Sequence, residues 1–110
     1  MTNWDDFRKE VSRNKNNLGG ANLEDTDLSG VNLRGAHLEH ANLKGANMEG
    51  AHLEDASLVD ANLGRAYLTG ANMENANLKI AQLVDANMEG AHLEDADLSF
   101  ANMIGANLKN

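Results

Sequence analysis

The chain has 110 residues, no cysteine, no proline and only four aromatic side chains, and its formal net charge is −8. That length allows one domain at most, the missing cysteines exclude disulfides and thiolate metal sites, and the few rings exclude a core built on large aromatics. No apolar run reaches membrane-spanning length, the polar N-terminus has no signal-peptide hydrophobic region, and the acidic balance opposes nucleic acid and anionic membrane surfaces, so the expected address is cytoplasmic.

The first fifteen residues, MTNWDDFRKEVSRNK, stand apart from the rest. Residues 1–20 carry four basic and three acidic side chains, whereas residues 21–110 carry five basic and fourteen acidic ones, a net of −9. The acidity therefore belongs to the second segment. Trp4, Phe7 and Val11 recur at helical spacing and form one apolar stripe. Thr2 followed by Asp5 reads as a capping box. A capping helix over residues 1–15 is expected, covering the next segment with Trp4 and Phe7. It is too short and too nearly neutral to be an amphipathic membrane anchor.

From Ala21 to Asn110 the chain divides into eighteen blocks of five without an insertion: ANLED, TDLSG, VNLRG, AHLEH and onward to ANLKN. Place three is always Leu or Met, and place one is Ala except at Thr26 and Val31. A helix repeats every 3.6 residues and a strand every two, so neither fits a period of five over this length. The period suits a chain that turns a corner in every block. The large residue of place three and the small residue of place one then point inward, and the other three places face water. Glycine at place five, as at Gly30 and Gly70, eases a tight turn. The absence of proline agrees with a backbone whose N–H groups are nearly all needed between coils.

On these blocks the sequence resembles the pentapeptide-repeat family, whose motif is written A-[DN]-L-x-x. The match runs in register over residues 21–110, with a looser block, NNLGG, at Asn16–Gly20. The resemblance implies an all-β solenoid: a right-handed quadrilateral parallel β-helix over residues 16–110, with an N-terminal α-helical cap. Four blocks per coil make about 4.5 regular coils. The eleven residues ANMEGAHLEDA at 46–56 recur unchanged at 86–96, two such coils later, so the copies share their faces.

Residues 20 apart then stack at the inter-strand spacing of about 4.8 Å. Leu23, Leu43, Leu63, Leu83 and Met103 form one interior column, and Leu28, Met48, Leu68, Met88 and Leu108 the next. Leu33, Leu53, Met73 and Leu93 form the third, and Leu38, Leu58, Leu78 and Leu98 the fourth. The methionines read as gap-filling core. Second-place asparagines such as Asn22, Asn42 and Asn62 read as a hydrogen-bonded ladder that tidies the turns.

Two outward features are candidates for function. The first is an acidic face, Glu54, Glu74 and Glu94 in a row headed by Arg34, with Asp55 and Asp95 at the adjoining corner. It reads first as a solvated face that keeps a short β rod soluble. Some bacterial members of the family resemble DNA in shape and charge, bind type II topoisomerases and protect against quinolones. The resemblance therefore implies an alternative role, a DNA-mimicking inhibitor of gyrase. The second feature is apolar: Val59, Ile80, Val84, Phe100 and Ile104 all fall at outward places. Phe100 lies over Ile80 at one corner and Ile104 over Val84 on the adjoining face. Such clustering marks a partner or dimer surface. Family members that target topoisomerase are commonly dimers joined through C-terminal elements, so a homodimer through the C-terminal end is expected.

No nucleophile elbow, phosphate-cradling glycine loop or metal motif occurs. His52 and His92 share a face but stand two coils apart, roughly 10 Å, too far to share a metal. His37 and His40 read as ordinary surface histidines. The expectation is a non-enzymatic structural or protein-interaction module that takes no cofactor and no metal, meets an unidentified protein partner, and binds neither nucleic acid nor membrane.

Overall fold

The computed structural model describes residues 1–110. Helix α1 spans Trp4–Arg13. Its N-cap is Asn3, whose side chain accepts from the Asp6 N–H at 3.2 Å. The expected Thr2–Asp5 box is thus displaced by one residue, because Asn caps at least as well as Thr and stands next to the first helical turn. Asp5 and Asp6 in the first turn and Arg13 in the last complement the helix dipole. The helix reaches the core with Val11, which is buried, and Phe7, which packs against the core. Trp4 instead meets the edge of Phe7, with ring centroids 5.3 Å apart. Arg8 fixes the helix to the first coil through Asp27 (Nη1–Oδ1 3.2 Å), and the Ser12 hydroxyl donates to the Asn32 carbonyl at 2.9 Å.

Beyond a short 3₁₀ turn at Lys15–Asn17 the chain winds into coils. Fourteen parallel bridges, from Asn22–Asn42 to Asn87–Asn107, all join residues 20 apart, so the register never slips and each coil has four sides. Each side contributes a single bridged residue, not an extended strand, because the turn takes up places four and five.

The backbone accounting explains both the period and the missing proline. In block Ala41–Gly45, the place-one N–H closes the turn onto Leu38 O (3.0 Å). The place-two N–H bonds down to Ala21 O (2.8 Å), and the place-three N–H bonds up to Asn62 O (2.7 Å). The place-five N–H bonds up to Gly64 O (2.9 Å). The remaining N–H, on Lys44, goes to Asn42 Oδ1 at 3.1 Å. All five donors are used, so proline would remove a bond at any place. The second-place Asn and Asp side chains therefore act mainly within their own block, as Asx turns. Contacts between stacked asparagines are confined to Asn42–Asn22 (3.4 Å) and Asn107–Asn87 (3.3 Å), so the expected ladder is largely replaced by turn bonds.

Every fifth place from Gly20 to Gly105 has φ between +54° and +74°; eight of these residues are glycine and ten are not. Positive φ at the second central residue alone is the signature of a type II turn. The interior holds places one and three. Leu33, Leu53, Met73, Leu38, Leu58 and Leu78 are fully buried, as are the alanines between them. Burial of each large side chain contributes roughly 1.5–3 kcal/mol. The columns loosen in the last coil, where Leu93, Leu98 and Met103 are only half-buried and Leu108 is 48% exposed, since they have a coil on one side only.

Candidate interaction surfaces

The apolar cluster sits where the turn geometry is least favourable to it. Ile80 and Phe100 are both fifth-place residues, with φ of +54° and +61°. A β-branched or bulky side chain in that region costs about 1–3 kcal/mol, which is why Gly, Asn and Asp dominate such turns. Burial does not repay this cost within the chain, since Phe100 is 91% exposed and Ile80 43%. On the adjoining side Ile104 is 73% exposed and lies one coil above Val84, which is half-buried. Val59 is half-buried one coil earlier, and its carbonyl accepts from the His40 N–H at 3.0 Å. The foot of the Ile80–Phe100 corner is polar: His40 Nδ1 stands 2.8 Å from Asp60 Oδ2. Tyr67, 53% exposed on another side, gave no separate signal, because its place-two position matches the repeat like any other.

The acidic face is not the uniform row expected. Glu54 is buried, its side chain only 11% exposed. It leans on Arg34 (Nη2–Oε2 3.7 Å) and lies beside His52 (Nδ1–Oε1 3.7 Å), and its Oε1 has no hydrogen-bond partner. The exposed carboxylates of this face are therefore Asp55, Glu74, Glu94 and Asp95, with the exposed Arg34 at its head. Elsewhere Asp27 and Asp97 are held below the usual carboxylate range, first by the hydroxyls of Ser29 and Ser99 and then by the N–H groups of the same residues. Glu39 is lowered first by its own backbone N–H, with burial opposing and His37 assisting.

The concavities are shallow and open. One, of about 350 Å³, is a notch around Gly64 bounded by Lys44, Asn62, Arg65, Gln82, Val84 and Asp85. Another lies between α1 and the first coil, and a third between Arg34 and Glu54. No group of three or more His, Cys, Asp or Glu is placed to hold a metal ion. No helix is long and apolar enough to cross a membrane.

The coil geometry has counterparts among solved structures. A pentapeptide repeat protein of the Arabidopsis thaliana thylakoid lumen is 33% identical over 89% of this chain and 68% of its own, with a TM-score of 0.83. The pentapeptide repeat protein Rfr23 of the cyanobacterium Cyanothece 51142 is 35% identical over 81% of this chain, with a TM-score of 0.80, and this chain spans only 60% of its length. QnrB1, a plasmid-mediated fluoroquinolone resistance protein, is 20% identical over 86% of this chain and 63% of its own, with a TM-score of 0.58, a likeness of fold alone. No curated protein matches the chain. A family model for pentapeptide repeats matches in eight copies over residues 17–55, 46–79, 56–95 and 81–110. The chain belongs to the pentapeptide-repeat family.

Proposed function

We propose that the chain is a non-enzymatic protein-interaction module: a right-handed quadrilateral β-helix, capped by residues 1–15, that presents Ile80, Val84, Phe100 and Ile104 to another polypeptide. One observation carries this reading: an almost fully exposed Phe100 at φ +61°. Turn preference opposes it and internal packing does not support it, so a partner that buries the ring supplies what the single chain lacks. The partner proposed here is a second copy, joined through the C-terminal end. The patch adjoins Met103 and Leu108 of the last coil, and one apolar patch on two copies is self-complementary about a two-fold axis. Replacing Phe100 and Ile104 by Ser should lower the mass in sedimentation while the circular dichroism spectrum stays unchanged. An unchanged mass would remove this surface as the interface.

A second reading is charge mimicry. Residues 21–110 carry a net charge of −9. Duplex DNA carries about 13 charges over roughly 22 Å, the length of four and a half coils. The two densities are of one order. In this reading Asp55, Glu74, Glu94 and Asp95 would meet a type II topoisomerase in place of DNA. The purified chain would then inhibit gyrase supercoiling, and a Glu74→Gln/Glu94→Gln variant would not. Absence of inhibition by the parent would end the reading for gyrase.

A further inference from the structure

Five cations stand on residues 21–110. Arg34 faces Glu54 at 3.7 Å and Lys79 faces Asp97 at 3.6 Å. Of the three that make no ion pair, Lys44 and Arg65 line one notch, while Lys109 lies on another side. The notch exists because place four is glycine at Gly64. Its backbone does not require glycine, since its φ lies outside the positive region. The Gly64 N–H makes the same turn bond, to Asn62 Oδ1 at 3.0 Å, that the blocks of Lys44 and Glu74 make while carrying full side chains. An added Cβ would meet only that oxygen closely, at 3.2 Å, with the Lys44 stem 4.0 Å away.

What glycine provides here is the open space between Lys44 and Val84. One carboxylate, Asp85, borders the notch, and Glu24 is engaged outside it. Glu24 accepts from the Asn42 amide at 3.1 Å. The Asp85 carboxylate occupies the space that a Cβ on Gly105 would need, so it leans toward the next coil.

We propose that the notch receives a carboxylate, either an acidic side chain of a partner polypeptide or a small free carboxylic acid. The Lys44 ammonium and Arg65 guanidinium supply charge. The amides of Asn62 and Gln82 supply further donors, and Val84 offers an apolar wall to the methylenes behind the carboxylate. This site shares Val84 with the apolar surface proposed above, but its cations stand outside that surface, and its binding is tested without dimerisation.

The test is an amide chemical-shift titration of the ¹⁵N-labelled full chain with three probes: acetate, N-acetyl-glutamate amide and N-acetyl-glutamine amide. The two carboxylates should shift Gly64, Arg65 and Lys44 in a saturable way, and the glutamine probe should not. The double variant Lys44→Gln/Arg65→Gln should bind about tenfold more weakly, with its other resonances unmoved. Tighter binding of the glutamate probe than of acetate points to a polypeptide side chain, and equal binding points to a free acid. Shifts absent from the notch, an equal response to the glutamine probe, or undiminished binding by the variant would overturn the proposal.

Discussion

Substitution of Phe100 by Asn isolates the strain at the corner. Phe100 holds φ at +61° and exposes 91% of its surface. The left-handed conformation costs an ordinary L-residue about 1–2 kcal/mol, and Asn tolerates it far better. Full burial of a large apolar side chain is worth roughly 1.5–3 kcal/mol, so the tenth that Phe100 buries is worth about 0.2. Strain relief dominates, and the variant should be more stable by about 1 kcal/mol, with Tm higher by roughly 4 °C. Ile80→Asn is the control. Ile80 has the same turn geometry but is only 43% exposed, so its lost burial of about 1 kcal/mol offsets the relief and the change should be near zero. Thermal and urea unfolding followed by circular dichroism, at a concentration where the chain is monomeric, measures both. Destabilisation by Phe100→Asn, or a larger gain from Ile80→Asn, would refute the reasoning.

Three further outcomes follow from the coil geometry. Leu53→Ala, in a fully buried position, should cost about 3 kcal/mol in urea unfolding, whereas Leu108→Ala, half-exposed in the last coil, should cost less than about 1. The Val59 N–H has no partner because place two of its block is Ser57, so Ser57→Asn should add the missing turn bond and about 0.5–1 kcal/mol. Asp27 and Asp97 have depressed folded pKa values, so their stabilising contribution is present above the unfolded value of about 3.9 and is lost as pH falls through the folded one. Ser29→Ala should therefore move the Asp27 carboxyl titration, followed by NMR, upward toward that value and leave Asp97 unchanged.

Much of the fold is visible in the sequence because it is periodic. Leu or Met at every third place and Ala at nearly every first place mark the inward residues, and the pattern recurs in eighteen consecutive blocks. Features that depend on contacts between coils are less legible. Glycine at Gly30 or Gly70 signals a positive φ, but nothing in the single letters Ile80 or Phe100 shows that they share it. Glu54 reads as one more exposed acid, and only its position over Arg34 draws it inward. Thr2 and Asn3 are both good caps, so the sequence alone leaves the start of α1 open by one residue. The Gly64 notch is not legible in the sequence, because a place-four glycine in a glycine-rich repeat looks like another turn residue.

The central claim is that the strained, exposed apolar corner exists to meet another chain. Sedimentation velocity on the parent and on the Phe100→Ser/Ile104→Ser variant tests it most directly. The account predicts a dimer for the parent and a monomer with unchanged circular dichroism for the variant. A monomeric parent, or the same mass for both proteins, would contradict it.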